Sequence, residues 1–460
     1  MVTTIVSIGS NQNIDTAVPN TLVSGSGPEY TITWNKTLSS DVAVGDLATA
    51  TDVPDGAYVY LITAISGSNY TLKYCTGSGG DQSPTALCSD AYCTSKPTFT
   101  FKRSFSLISD FEVMVEDASP DYWGSSDDVI GECHKDSDTF DENNLFFNNK
   151  QSLSSVTLSV YEDDRHDGTA ASGVVLQPES GGTHNHGIIK IDIDNMTVEW
   201  LDINLDELDS NVTNKAIVLA GTNNNNIIRN NLIHDKGGNP GNTGPFAIHA
   251  LGAGASSDSI YVFNNIIYNF VETNRDTAAA LLLNTWGGNL YIYNNTIYNI
   301  QGVGSGKHGI GISFGTPTGS NTRVKNNIVS KCQGPSLDIA YWKRSSGSTV
   351  DAANNLSDDT ATAAYNAEDM GQTVGDSSAL IGKTAVQIAF VSVGAATEDL
   401  HLDADSVCLE AGVNLGTTNG VNIDIDGIDR DATGVTWDIG ADQRSTSDTG
   451  NSAFLMFLDI

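Results

Sequence analysis

The chain has 460 residues, a formal net charge of −34 at pH 7 and a sequence pI near 4.2. Such an excess of carboxylates repels phosphate backbones and anionic lipid, so nucleic acid and bare membrane are excluded as partners. Only 17% of the residues are charged whereas 45 are glycine, a composition typical of turns and strands rather than of helical bundles. The start at Met1 has neither a basic region nor a long apolar run, so we expect no signal peptide and no membrane insertion.

The first predicted unit covers residues 1–103. Short β-runs at residues 58–62 and 70–74 are separated by Gly/Ser turns. Residues 76–96 have the composition of a loop, and no thirty-residue rhythm runs through this part of the chain. We therefore predict a small, separate N-terminal β-rich module that attaches the protein to a larger structure.

One helix is predicted next, over residues 104–119. Ser106 can cap its start, and Pro120 lies just beyond its end. Because a stacked β core has an open apolar end, we predict that the apolar stripe of this helix covers the N-terminal end of the following domain. The stripe consists of Leu107, Ile108, Phe111, Met114 and Val115.

Paired asparagines mark a repeat in the middle of the chain. Each unit is a short strand, a bend that contains the pair, and a second short strand. The first asparagines of successive pairs, down to a shorter copy at Asn354, are 34, 30, 32 and 28 residues apart. Asparagine tolerates the left-handed backbone of a bend, so stacked coils would align these amides in a ladder. The predicted ladder consists of Asn230, Asn231, Asn264, Asn265, Asn294, Asn295, Asn326 and Asn327.

A further set of strands recurs after each loop between residues 247 and 340. Alternate side chains of these strands can share one core, and a single coil cannot bury its apolar side alone. We predict an all-β fold, a right-handed parallel β-helix solenoid that occupies residues 104–375 with its capping helix. Residues 376–460 leave the repeat and are predicted to form a β-rich C-terminal cap.

Three short elements occur in order near the C-terminus: Glu410-Ala411-Gly412, Asp424 to Arg430, and Asp438 to Ala441. Together with residues 127–133 and the Asn-pair coils, they resemble proteins with right-handed parallel β-helix repeats, the superfamily of pectate lyases and phage tailspikes. Glu410 stands where that pattern usually has Asp. The resemblance spans roughly residues 104–445 and implies the fold and, for a spike, a homotrimer. It leaves the function open, because the superfamily contains lyases, hydrolases, adhesins and inert spacers.

Loop acids are the candidates for catalysis. Asp235, Glu272 and Asp276 lie in successive loops. Such carboxylates could hold the calcium of a polysaccharide lyase or form the acid pair of a glycosidase. None of them lies on a predicted strand, where a rigid site would be built. The alternative is that they are solvated loop charges.

Four aromatic residues follow the later strand set, and they are the candidates for glycan binding. Sugar rings stack on exposed aromatic faces, while neighbouring Asn and Asp side chains bind hydroxyl groups. The alternative is that these rings pack beneath loops. The four residues are Trp286, Phe314, Tyr341 and Trp342.

Asp424, Asp426 and Asp429 resemble a short calcium loop, with Gly427 allowing a turn. The spacing departs from an EF-hand because no Glu follows at the twelfth position. Hydrogen bonding within a turn is therefore the alternative to calcium. We expect that no cofactor is required, with calcium at this loop as the one candidate ion.

These features favour a structural protein of a virion or an extracellular surface, such as a phage spike, fibre or decoration protein, that projects a β-helix and binds surface glycans. Its expected partners are a surface polysaccharide, other structural proteins of the same particle and further copies of the chain. Two rival hypotheses are a polysaccharide depolymerase that uses the loop carboxylates and a bacterial surface adhesin.

Overall fold

The structure is a computed structural model. None of the helices in its described residues is both long and apolar enough to cross a membrane. The described residues are 3–17, 19–26, 29–34, 36–50, 58–77, 99–117, 126–136, 139–142, 144–179, 187–206, 215–221, 224–236, 244–251, 255, 257–273, 277–283, 287–303, 308–314, 321–334, 337–343, 349–358, 380–395, 397–432 and 436–444.

The N-terminal part of the chain is built from strands. They are β1 (Thr3–Ile8), β2 (Asp15–Ala17), β3 (Pro19–Ser26), β4 (Glu29–Trp34), β5 (Leu47–Ala50), β6 (Tyr58–Ser66), β7 (Asn69–Gly77) and β8 (Phe99–Lys102). All except β1 form one antiparallel sheet in the order β2–β8–β5–β6–β7–β4–β3. In its core, the ring of Trp34 lies edge-on to Phe99 and Phe101, with centroids 5.3 and 5.0 Å away.

The predicted helix forms as α1 (Ile108–Glu116) and packs on the first coils of the solenoid. Its N-cap differs from the prediction, because Leu107 rather than Ser106 occupies the cap position. The N–H of Ile108 donates instead to Glu142 Oε1 at 2.6 Å, so a neighbouring strand satisfies the first turn. Leu107 is 43% exposed and does not belong to the apolar stripe. The buried residues of the stripe are Ile108, Phe111 and Val115.

The strands of the solenoid follow α1. They are β9 (Asp128–Cys133), β10 (Thr139–Glu142), β11 (Leu145–Phe147), β12 (Ser155–Val160), β13 (Val175–Pro178), β14 (Ile189–Ile191), β15 (Met196–Glu199), β16 (Asp202–Asn204), β17 (Lys215–Leu219), β18 (Asn226–Arg229), β19 (Leu232–Lys236), β20 (Phe246–Ala250), β21 (Ser259–Phe263), β22 (Ile266–Glu272), β23 (Thr277–Leu283), β24 (Asn289–Tyr293), β25 (Thr296–Gly302), β26 (His308–Phe314), β27 (Asn321–Lys325), β28 (Ile328–Gln333), β29 (Leu337–Lys343), β30 (Thr349–Ala353) and β31 (Leu356–Ser357).

These strands stack into three parallel sheets, which confirms the predicted parallel β-helix. Sheet 1 has the order β1–β9–β12–β15–β18–β21–β24–β27–β30. Sheet 2 runs β10–β13–β16–β19–β22–β25–β28–β31, and sheet 3 runs β11–β14–β17–β20–β23–β26–β29. Val262, Ile292 and Val324 are paired in register on sheet 1 and fully buried. The three sheets therefore enclose one continuous core.

A shared strand and a buried ion-pair network connect the N-terminal sheet to the β-helix. Strand β1 pairs parallel with β9 and is the first strand of sheet 1, although it lies within residues 1–103. Arg103 is 3% exposed, and its guanidinium lies 3.1 Å from Asp46 Oδ1 and 2.6 Å from Asp136 Oδ1. The chain therefore crosses from the β-helix to the antiparallel sheet after β1 and returns to the β-helix after β8.

After the last coil come α2 (Ala385–Ile388), β32 (Phe390–Ser392) and β33 (Asp399–Leu402). The described residues from 380 to 444 are called the strap here. Strap residues Leu400 and Ile425 pack with Tyr268 and Tyr298 of sheet 2, and Ile439 packs with other residues of the same sheet. The described part of the predicted C-terminal cap therefore covers a flank of the solenoid.

Candidate functional site

The two asparagines of each pair have different roles. Both are buried in the pairs from Asn230 to Asn327, and the side-chain N–H of the second one donates to the Oδ1 of the equivalent residue one coil later. This distance is 3.1 Å from Asn231 to Asn265 and 3.0 Å from Asn265 to Asn295. Asn327 and Asn355 continue the row. Because each Oδ1 also accepts a backbone N–H, the amides hold neighbouring coils in register.

The first asparagine of each pair bonds to the strap instead of to its neighbours. Its φ is positive, with values of 53°, 55° and 50° at Asn230, Asn264 and Asn294. Asparagine accepts this left-handed backbone more readily than most residues. The side-chain N–H groups of this outer row donate to backbone carbonyls of the strap. As the strap runs forward along the chain, it passes the coils from the last to the first. Its hydrogen bonds are Asn354 to Ala411, Asn326 to Val413, Asn294 to Val421, Asn264 to Val421 and Asn230 to Ile423.

The predicted catalytic acids do not form an open site within the described residues. Asp235 Oδ2 lies 2.9 Å from His234 Nδ1, and Asp235 Oδ1 accepts from Asn269 at 2.9 Å. Glu272 is fully buried, so a polymer on the surface has no access to its carboxyl group. Asp276 lies outside the described residues.

His234 bridges two carboxylates on the outer face of sheet 2. Its Nε2 lies 2.6 Å from Asp202 Oδ1, and its ring stacks on Tyr268 with the centroids 5.0 Å apart. Burial by itself lowers the pKa of His234, but the hydrogen bonds with Asp202 and Asp235 outweigh burial and raise this pKa to about 9. The imidazolium therefore joins the neighbouring strands β16 and β19 electrostatically.

The predicted aromatic surface is not formed by Phe314 and Tyr341. Both side chains lie in the core of the β-helix, with 0% and 2% of their surface exposed. Neither ring is therefore available to a glycan. Trp342 is half-buried against the apolar cluster on the outer face of sheet 3. Trp286 lies outside the described residues.

Two of the three predicted calcium ligands, Asp424 and Asp426, lie close together. The third carboxylate beside them is that of Asp442, not that of Asp429. Carboxylate oxygens of Asp424, Asp426 and Asp442 lie within 4.8 Å of one another. Asp429 is not in this group, and its Oδ1 accepts from the Asn422 side chain at 2.9 Å. Both oxygens of Asp424 accept backbone N–H groups, and burial raises its pKa to about 8. Hydrogen bonding within the turn therefore accounts for Asp424 without an ion.

His401 on β33 forms a second carboxylate bridge. Its Nδ1 lies 2.5 Å from Asp399 Oδ1, and its Nε2 lies 3.0 Å from Asp426 Oδ1. Burial alone lowers the pKa of His401, but these hydrogen bonds raise it to about 11. Gly168 has a φ of 80°, and a Cβ there would lie 2.5 Å from His401 Cε1. The loop between β12 and β13 therefore approaches His401 so closely that only glycine fits at position 168.

A cavity of about 570 Å³ opens beside this bridge and is called the strap cavity here. Its volume lies within the range of small-molecule sites. Asp167 comes from the loop between β12 and β13, whereas the other lining residues come from the strap, so the cavity exists only where the strap meets the solenoid. It is lined by Asp167, Val391, His401, Leu402, Asp426, Ile428, Asp442, Gln443 and Arg444.

Sequence reasoning did not find this cavity. Asp399 and His401 stand two residues apart, a spacing that places two side chains on one face of a strand, but the same spacing occurs by chance in many strands. The polar density of residues 161–168 was the other local signal. Nothing in the sequence relates Asp167 to Asp426, which are brought together only by the path of the strap.

Comparisons with protein-family models, curated proteins and solved structures found no match. The parallel β-helix is therefore established by the strand order and register of this chain. Its function has to be inferred from the chemistry of its own residues.

Proposed function

We propose that the protein is a structural protein of a virion or an extracellular surface that projects a β-helix and holds surface glycans. The observation that carries this proposal is the strap bound along the solenoid by the outer asparagine row. Each coil of a solenoid contacts only its neighbours, so an unsupported rod opens coil by coil. A strap that spans several coils opposes such opening. This stabilisation is what a projecting rod under mechanical load requires.

The joint to the N-terminal sheet supports the same proposal. Arg103 is buried between Asp46 and Asp136, so the module and the rod are held by charged hydrogen bonds rather than by a flexible linker. A module joined in this way can serve as a rigid base. The proposal includes membership of the pectate-lyase-like and tailspike superfamily and assembly as a homotrimer, both of which come from the resemblance.

A glycan is the proposed ligand for two reasons. The net charge of −34 disfavours nucleic acid and anionic lipid. The strap cavity also offers carboxylate, amide and guanidinium groups, which bind the hydroxyl groups of sugars. The depolymerase hypothesis has no comparable support, since Glu272 is buried and Asp235 is bonded to His234 and Asn269.

Affinity electrophoresis tests the proposal. The folded protein would migrate through native gels that contain one bacterial or algal polysaccharide each, with heat-unfolded protein as the control. We expect one polysaccharide to retard the folded protein and not the control. Unchanged migration of the folded protein across a broad panel would contradict glycan binding.

A further inference from the structure

We propose that the strap cavity is a sugar-binding site that takes one uncharged sugar residue of a surface polysaccharide. This inference rests on the proposed function and adds the place of binding and the class of sugar.

Donors and acceptors meet in the cavity. Asp426 is 29% exposed at its side chain while one of its oxygens binds His401. The Arg444 side chain is 23% exposed, and its Nη1 donates to Leu402 O at 2.9 Å. Asp167 is exposed on the opposite, solenoid side. A sugar hydroxyl both donates and accepts, so one ring can bond to the carboxylates and to the guanidinium together.

Gln443 gives an independent indication of a ligand. This residue lines the cavity and is 1% exposed. Its Oε1 accepts from the N–H of Asp438 at 2.9 Å, whereas its Nε2 has no hydrogen-bond partner among the described residues. A buried N–H without a partner destabilises a protein. The Nε2 atom is covered, so a rotation of the amide toward the cavity lets a hydroxyl oxygen of a bound sugar remove this penalty.

The remaining lining favours a sugar over a metal ion. Val391, Leu402 and Ile428 give the cavity an apolar side, and Val391 is 54% exposed. A sugar ring has a C–H face that packs on apolar side chains, and the hydroxyl groups at its rim reach polar ones. An ion would use the carboxylates alone and would leave both the apolar side and the Gln443 amide without a role.

The charges around the cavity exclude acidic sugars. Asp167, Asp426 and Asp442 face it, and the charges of its two basic groups are already offset by carboxylates, His401 by Asp399 and Asp426 and Arg444 by Asp403. The whole chain repels anionic polymers as well, with its net charge of −34. Neutral polysaccharides are therefore the expected ligands, and polyuronates are not.

Titration of the full chain with the retarding polysaccharide, by calorimetry, tests the assignment. The informative variants are Asp167→Asn and Val391→Glu, because both residues line the cavity and are exposed, so that folding is preserved. Asp163→Asn is the matched control, since it removes the same charge from an exposed position of the same loop that does not line the cavity. Circular dichroism would establish that all three variants are folded.

We expect Asp167→Asn to bind about tenfold more weakly, the effect of losing one charged hydrogen bond, and the control to bind like the unaltered chain. Val391→Glu should also bind about tenfold more weakly, because it places a charge on the apolar side of the cavity. The free neutral monosaccharide should compete with the polymer. Equal binding by all variants would overturn the assignment of the cavity and leave the proposed function standing. A preference for polyuronates would overturn the class of sugar. Absence of binding to every polysaccharide would overturn the proposed function itself.

Discussion

At the scale of single residues, two adjacent asparagines with the same chemistry perform different tasks. Both are buried, but Asn294 has a φ of 50° and directs its amide to the strap, whereas Asn295 bonds to the next coil. The difference arises from backbone geometry, because the left-handed residue turns its side chain out of the bend. The asparagine pairs therefore predicted the position of the bend. The predicted ladder contained both members of each pair, but only the second members bond to one another from coil to coil.

Substitution of the inner row should destabilise the protein more than substitution of the outer row. Asn295→Ala removes the acceptor of the Asn265 backbone N–H inside the core, together with one of the three acceptors of the Asn265 side-chain amide, and we expect the free energy of unfolding to fall by about 3 kcal/mol. Asn294→Gly keeps the backbone conformation and loses one hydrogen bond, about 1 kcal/mol. Urea denaturation measures both values. Equal losses would contradict the separate roles.

The bridge at His234 should make stability depend on pH. The folded pKa is about 9, above the unfolded value of about 6.5, so its contribution is complete below pH 6.5 and is lost as the pH rises to about 9. We expect the free energy of unfolding to fall over this window, by about 3 kcal/mol from this group. The fall should be smaller in His234→Gln.

A histidine that stays neutral provides the control for that experiment. Burial lowers the pKa of His249 to about 3, so above about pH 7.5 this residue is neutral in both the folded and the unfolded protein, and His249→Gln changes no charge. Urea denaturation at about pH 7.5 and about pH 9.5 compares the two variants. If His234→Gln and His249→Gln showed the same pH dependence, the bridge would not contribute.

At the scale of elements, the spacing of the Asn pairs was sufficient to predict the parallel coils, and the helical stripe predicted α1. The direction of individual side chains was harder to predict. Ile310 and Ile312 stand two residues apart on β26, yet Ile310 packs outside sheet 3 and Ile312 packs in the core. The alternation that a strand pattern assumes is therefore broken between these two residues. Phe314 consequently lies inside the solenoid, where the sequence alone had suggested a surface.

The joint between the N-terminal sheet and the rod should depend on Arg103. Arg103→Met leaves the fully buried Asp46 without its cation, and we expect a loss of about 3–5 kcal/mol. Lys36→Met breaks the exposed ion pair with Asp15 and should cost less than about 1 kcal/mol. Thermal unfolding of the two variants measures the difference. A loss at Arg103 no larger than that at Lys36 would show that the ion pairs do not hold the joint.

At the scale of the whole molecule, the strap changes how the solenoid behaves. Its hydrogen bonds to the outer row reach from Asn354 back to Asn230, so it contacts several coils that do not contact one another. A linear repeat protein can open locally, whereas coils bound to one strap are coupled. The sequence could not reveal this path, because the bonded residues lie far apart along the chain and no local pattern connects them.

Substitution of four asparagines of the outer row should weaken the binding of the strap without unfolding the coils. We expect the combined change of Asn230, Asn264, Asn294 and Asn326 to Gly to lower the free energy of unfolding by about 4 kcal/mol, about 1 kcal/mol for each asparagine. Hydrogen exchange followed by mass spectrometry should show faster exchange in residues 411–424 than in the inner ladder. Unchanged protection of residues 411–424 would mean that other contacts hold the strap.

We propose that this β-helix binds a glycan without cleaving it. The most direct measurement is the length of the bound polysaccharide, followed by gel filtration during prolonged incubation with the folded protein. We expect the polymer to elute at its original position throughout, because Glu272 is buried and Asp235 is hydrogen-bonded to His234 and Asn269. Progressive shortening of the polymer would contradict the claim and establish a depolymerase.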